Sequence, residues 1–273
     1  VERVLVTGAT TWEGAELVHR LGRRSNVEVV GDDDGSSEDA LEFAAWVIEQ
    51  QPTVVVHLDT CSTTAASFES LVAALARLPA LRLLVVRSDL AVHGAGPRMP
   101  SIIGTETISP GPPTPYGRAL RELERGVLSF AHERPDISVT ILRFAPILRP
   151  DTPISRFLAE PPVPTVLGFD PRLQFVHRHD AIGALQHAVY GGVHGVFDVT
   201  APGQMYLSAV LRTGRVPSRP LPGRIFRSVV GARLPPHLIE LLRHGRVVEP
   251  TTFDFGPMRD CRATVIDFYR RQG

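Results

Sequence analysis

Arg3-Val4-Leu5-Val6-Thr7-Gly8-Ala9-Thr10-Thr11-Trp12-Glu13-Gly14 is an apolar run that breaks at a glycine turn, and from Gly14 to Leu21 the spacing is helical. The open amides of a helix N-terminus attract an anion, so this turn stands where a dinucleotide's pyrophosphate would sit. Gly8, Thr10, Thr11 and Gly14 are the residues that would lie against it. Val27 to Val30 form the next β-branched run. Asp32 follows, about 20 residues beyond the turn, where an acid can hold a ribose diol. A tight turn in an α/β fold that binds nothing accounts for the same glycines, and the residues alone leave both readings open.

Outward from the turn, strands and helices alternate. Asp39 to Gln50 reads as an amphipathic helix with Leu41, Ala44, Ala45 and Ile48 on one face, and Val54 to Leu58 is a further buried strand. Leu83 to Val86 and Val139 to Leu142 read as strands, separated by helical stretches at Phe68–Leu78 and Tyr116–His132. The alternation predicts a parallel sheet covered on both faces. After about Arg149 the texture changes: Pro150, Pro153, Pro161, Pro162, Pro164 and Pro171 break the pattern, and a less regular lobe is expected. No internal repeat or low-complexity segment is visible.

The 273 residues are 43% apolar and 21% charged, enough for a sizeable core. The 29 basic residues are all arginine and equal the 29 acidic ones, which argues against bulk attraction to nucleic acid or anionic lipid. The lack of lysine excludes Schiff-base chemistry and a P-loop lysine. Two cysteines, Cys61 and Cys261, make no disulfide framework or zinc ribbon, and no apolar run approaches the roughly 18–20 residues of a membrane span. A cytoplasmic protein is expected.

Ordered along the chain, these features resemble the extended short-chain dehydrogenase/reductases, the NAD-dependent epimerase/dehydratase family. Val54-Val55-Val56-His57-Leu58 is similar to its fourth strand, and Ser88-Asp89-Leu90-Ala91-Val92-His93-Gly94 to its serine strand. Pro115-Tyr116 resembles the start of its catalytic helix, Leu142-Arg143 its sixth strand, and Phe175 to Asp180 the segment returning from its substrate lobe. The resemblance implies a Rossmann-type doubly wound parallel sheet over residues 1–149. A small C-terminal substrate lobe would follow over 150–273, with 172–200 returning to the sheet. It implies NAD as cofactor and a small-molecule substrate, for many members a nucleotide sugar. By analogy it also implies a homodimer through the Tyr116–His132 helix.

Against that family pattern the chain departs in four places. Thr11 replaces the middle glycine of the turn, and Glu13 puts a carboxylate beside a site meant for an anion. Asp59 and Thr60 stand where small residues face the cofactor. Only 23 residues separate Val30 from Val54, room for one helix, so the usual third strand is expected to be missing. The catalytic set is altered too: Tyr116 is present, but four residues on stands Leu120 instead of lysine, and the serine position falls on Asp89, with Ser88 beside it. Without an ammonium group a phenol titrates near pH 10, so roughly one part in a thousand is phenolate at pH 7. Arg143 and Arg172 remain candidate substrate contacts and equally read as surface or sheet-capping arginines.

Other groups were weighed against plainer roles. His93 lies four residues from Asp89, and the two together could do acid/base work with no redox step; packing explains His93 as well. His177 and His179 are expected on one face of a strand, but no third ligand appears, so no metal site is expected. His57 reads as a core histidine and Cys61 as inert. Arg212 to Arg246 carries eight arginines against Glu240 alone, interleaved with Ile225, Phe226, Val229 and Val230; lobe packing or contact with a membrane surface or partner fits it. Three functions follow. The first is a non-standard family member binding a nucleotide or small metabolite without hydride transfer. The second is a non-redox isomerase, lyase or cyclase using Tyr116, Asp89 and His93. The third is a true NAD-dependent epimerase or reductase.

Overall fold

A computed structural model describes residues 1–32, 39–58, 65–104, 111–249, 256 and 258–272. The chain divides into two compact units, each assembled from three segments. Unit 1 comprises Val1–Ser88, Ala119–Arg143 and Ile182–Phe197; unit 2 comprises Asp89–Arg118, Phe144–Ala181 and Asp198–Gly273.

The first elements are β1 (Glu2–Thr7), α1 (Trp12–Leu21), β2 (Val27–Gly31), α2 (Ala40–Gln50), β3 (Val54–His57), α3 (Ala65–Ala76) and β4 (Leu83–Asp89). A 3₁₀ turn (Leu90–His93), β5 (Ile102–Ile103), α4 (Pro115–Glu133) and β6 (Ser138–Phe144) follow. Next come β7 (Ile147–Leu148), α5 (Pro153–Ala159), β8 (Val163–Val166), β9 (Arg172–Leu173), β10 (Val176–His177), α6 (Arg178–Tyr190) and β11 (Gly195–Val199). The chain continues with β12 (Met205–Tyr206), α7 (Leu207–Thr213), β13 (Ser218–Leu221), α8 (Gly223–Val230), α9 (Pro236–His244), β14 (Val247–Val248) and α10 (Cys261–Arg270).

Six strands form one parallel sheet in the order β11-β6-β4-β3-β1-β2. This is the parallel α/β sheet expected from the alternation, in the Rossmann-type arrangement that the family resemblance implies. Among the described residues β2 is the edge strand, and α2 is the element between β2 and β3. Residues of β1 and β3 pair in register from Val4↔Val54 to Thr7↔His57, and all of β3 is buried. Strands covered on both faces are apolar throughout, which is why Val54-Val55-Val56 does not alternate with polar residues. Leu5, Val55, Leu71, Leu75, Val127, Phe130 and Ile141 meet in the unit 1 core. On α2 the expected face needs correcting. Leu41 is 75% exposed, and Val47 is the fully buried residue, with Phe43, Ala44 and Ile48 packed against the same core. Leu41 sits in the first turn beside the Asp39 cap, before the helix settles on the sheet.

Unit 2 builds its core from short pieces. Parallel pairs β8–β13, β7–β10 and β5–β14 and the antiparallel pair β9–β12 frame Phe157, Phe175, Phe226, Val230, Leu242 and Val265. Prolines at 161, 162, 164 and 171 keep these strands short, because each removes a ladder donor. Phe226 and Val230 bury the inner face of α8, while Ile225 and Val229 stay exposed on its outer face. No helix among the described residues is long and apolar enough to cross a membrane.

Candidate functional sites in the two units

In unit 1 the glycine turn is held from both sides. Gly8 sits at φ +75°, a backbone that L side chains rarely adopt, and its N–H donates to Asp32 Oδ2 at 2.6 Å. The N–H of Ala9 donates to the other oxygen, Oδ1, at 2.6 Å. Asp32 therefore grips the turn bidentately instead of standing apart from it. Thr11 caps α1: its hydroxyl donates to Gly8 O at 2.6 Å and accepts from Gly14 N at 3.1 Å. A Cβ on Gly14 would fall 2.2 Å from Gly8 O, so only glycine lets helix and turn approach this closely. Thr10 is exposed at the turn's tip, and Glu13 lies 3.9 Å from Arg87. Asp59, Thr60 and Cys61 lie outside the described residues.

Ser88 is fully buried and donates to Glu124 Oε1 at 2.6 Å. The Arg143 guanidinium grips the same carboxylate, Nε at 2.9 Å from Oε1 and Nη2 at 2.6 Å from Oε2. These two candidates thus share one internal partner, Glu124, itself only 3% exposed. Tyr116 opens α4, and one turn on Leu120 is buried, with no amine. No sequence signal pointed to the phenol ring's neighbour: His237, from α9, lies 4.4 Å away between ring centroids at a 32° tilt. Arg172 is half-buried in β9 opposite Tyr206, and its carbonyl accepts from Arg246 N at 3.4 Å.

Unit 2 holds a cluster that sequence reasoning found only in part. Asp89, at φ −136°, caps the 3₁₀ turn through Ala91 N at 2.6 Å. His93 ends that turn, and its carboxylate partner is Asp198, not Asp89: Nε2 lies 3.0 and 2.9 Å from the two Asp198 oxygens. The expected Asp89–His93 pair required both side chains to face one cleft; the chain leaves the strand at Asp89 and enters a 3₁₀ turn, in which residues three apart eclipse and positions four apart do not share a face. Arg246 is 6% exposed and donates to Gly94 O at 3.3 Å. Burial pulls its pKa below the ordinary arginine value, and the charges of Asp89 and Asp198 pull it back up. Asp198 interrupts the apolar run Val196-Phe197-Asp198-Val199, the one local signal that could have exposed it.

The paired histidines also need correcting. His177 ends β10, but His179 already belongs to α6, so they do not share a strand face. His177 Nδ1 accepts from His179 N–H at 3.2 Å, which leaves Nε2–H to donate to Asp267 at 2.9 Å. Arg271 also donates to Asp267, and these two hydrogen bonds hold its carboxyl down at about 2. Among the described residues no group of His, Cys, Asp and Glu could hold a metal ion. Cys261 is buried, which pushes its thiol up to about 11 and leaves it inert.

A profile of the NAD dependent epimerase/dehydratase family matches residues 4–189. The chain belongs to this family. An uncharacterized protein of Mycobacterium tuberculosis is 34% identical to this epimerase/dehydratase relative over 291 residues, covering 91% of this chain and 77% of its own length. A Mycobacterium bovis protein, also uncharacterized, matches to the same extent. Among solved structures, a dTDP-4-dehydrorhamnose reductase from Yersinia enterocolitica superposes with a TM-score of 0.74 at 13% identity, covering 99% of each chain. A UDP-glucuronic acid 4-epimerase from Bacillus cereus, in complex with NAD, gives 0.73 at 17% identity, covering 98% of this chain and 96% of that one. At such identities the likeness is one of fold.

Proposed function

We propose that this family member binds a nucleotide, or a metabolite carrying one, through the β1–α1 turn and Asp32, and does not carry out ordinary hydride transfer. The family's NAD tests the residues at two ends. At the adenosine end they fit. Asp32 takes the Gly8 and Ala9 amides, one on each oxygen, which places its carboxylate at the turn where an acid meets a ribose, and Gly14 preserves the close helix–turn approach. Arg87, 3.9 Å from Glu13, offsets the carboxylate in the first turn of α1. Thr11 narrows the fit, since its hydroxyl takes the Gly14 amide for itself.

At the nicotinamide end they do not fit, and this carries the proposal: one turn beyond Tyr116 the helix offers the buried, apolar Leu120. NAD supplies a hydride acceptor when bound, but a proton must move with the hydride. Where the family pattern places a lysine to lower the phenol's pKa for that proton, Leu120 offers no cation. The His237 ring lies against the phenol ring, 4.4 Å between centroids. The ligand class follows the sugar-nucleotide enzymes among the structural neighbours, and a cytoplasmic homodimer through α4 belongs to the same reading.

Calorimetric titration with ADP, ADP-ribose and NAD, paired with absorbance at 340 nm, tests it. All three are expected to bind, Asp32→Ala to weaken each at least tenfold, and no reduced nicotinamide to appear with nucleotide sugars present. Interconversion of oxidised and reduced dinucleotide at an enzyme-like rate overturns the proposal. One observation favours a second reading, non-redox acid/base chemistry: Asp198 holds the His93 imidazole through both carboxylate oxygens, as an orienting acid holds a general base. It requires sugar-nucleotide turnover with no 340 nm change, lost in His93→Ala.

A further inference from the structure

Overall neutrality conceals a strong separation of charge. Unit 1 carries 11 arginines and 17 carboxylate residues, unit 2 carries 18 and 12. Within unit 2, residues 199–239 contain six arginines and no Asp or Glu. Those six, Arg212, Arg215, Arg219, Arg224, Arg227 and Arg233, are all exposed. Arg233 pairs with Glu160, and Arg227 lies 3.9 Å from Glu240. Among the described residues no carboxylate forms an ion pair with Arg212, Arg215, Arg219 or Arg224.

The same stretch of chain, and the loop after β8 beside it, also expose apolar side chains. On α8, Ile225 and Val229 stand one turn apart at 51% and 45% exposure, while Phe226 and Val230 anchor the opposite face in the core. Beside the start of α8, the loop after β8 leaves Leu167 and Phe169 at 63% and 42%. One hydrogen bond fixes that placement: Leu167 N donates to Leu221 O at 2.8 Å, two residues before α8 begins.

We propose that the outer face of α8, with Leu167 and Phe169 beside it, docks on anionic phospholipid membranes, lying on the surface without crossing it. Aliphatic and aromatic tips framed by arginines suit the boundary between acyl chains and headgroups, where the tips enter hydrocarbon and guanidinium groups meet phosphate. The apolar tips decide between possible anionic partners. A nucleic acid would use the arginines and leave four large apolar side chains in water, whereas a lipid surface uses both. This inference is independent of the proposed nucleotide site.

The test is co-sedimentation of the whole chain with vesicles of phosphatidylcholine alone, or of phosphatidylcholine with one-third phosphatidylglycerol. Binding is expected to the anionic vesicles only, and to be lost in half-molar salt. Ile225→Asp with Val229→Asp, and separately Arg219→Gln with Arg224→Gln, should each reduce binding at least tenfold. These side chains are exposed, and unchanged circular dichroism would show the fold intact. Failure to sediment with anionic vesicles overturns the proposal, as does equal binding to neutral ones. Capture by heparin or polyglutamate without vesicle binding also overturns it, pointing to a polyanionic macromolecule instead.

Discussion

The glycine turn of unit 1 and the charged cluster of unit 2 solve the same problem, burial of charge, in opposite ways. In the turn, one carboxylate takes neighbouring backbone amides, those of Gly8 and Ala9. In the cluster, side chains far apart in sequence act on one another: Asp198 holds His93, and the charges of Asp89 and Asp198 bear on the buried Arg246. Backbone satisfaction is local and survives the loss of distant residues. Side-chain satisfaction is mutual, so removing one member strands the others. The two regions should therefore respond differently to substitution.

The largest effect is expected at the cluster. Arg246→Leu removes the buried guanidinium's hydrogen bond to Gly94 O and its attraction for Asp89 and Asp198, and should cost about 3 kcal/mol, read as a shift of the urea midpoint. A loss below about 1 kcal/mol would show the cluster to be as self-sufficient as the turn. Gly14→Ala probes the turn. Its new methyl meets Gly8 O at 2.2 Å, and the backbone shift should cost about 2–3 kcal/mol while abolishing ADP binding. Unchanged binding would remove the turn from the site. The smallest effect concerns Asp267, whose carboxyl is held at about 2 by Arg271 and His177. A lowered carboxyl pKa contributes stability above the unfolded value of about 4 and loses it as pH falls toward the folded value. Asp267→Asn should thus cost about 1 kcal/mol at pH 7, after discounting for solvent screening, and only a small fraction of that at pH 2. Melting curves as far apart at pH 2 as at pH 7 would contradict this assignment.

How much the sequence disclosed follows the same division. The sheet was legible because its signals are local: unbroken valines in β3 and a glycine turn between strand and helix. Thr11 and Glu13 could be recognised as departures, yet spacing could not reveal that Thr11 caps α1 or that Asp32 closes back on the turn. The cluster was mostly hidden. Asp198 lies 105 positions from His93, and Arg246 lies 152 from Gly94. No periodicity links residues so far apart, and the nearest acid in sequence, Asp89, was the natural but mistaken partner. His237 was invisible for the same reason: a prolyl turn delivers it from α9 to Tyr116.

The distance between Gly94 and Arg246 has a further consequence, one for biosynthesis. At roughly 5–20 residues per second, a ribosome adds the intervening 152 residues in roughly 8–30 seconds. Throughout that interval Asp89 and His93 have been translated while their guanidinium neighbour has not. Every segment of unit 1 precedes residue 198, so its sheet can close during translation. The second unit stays open until Arg246 emerges, and nascent chains stalled before that point should expose it to chaperones and proteases.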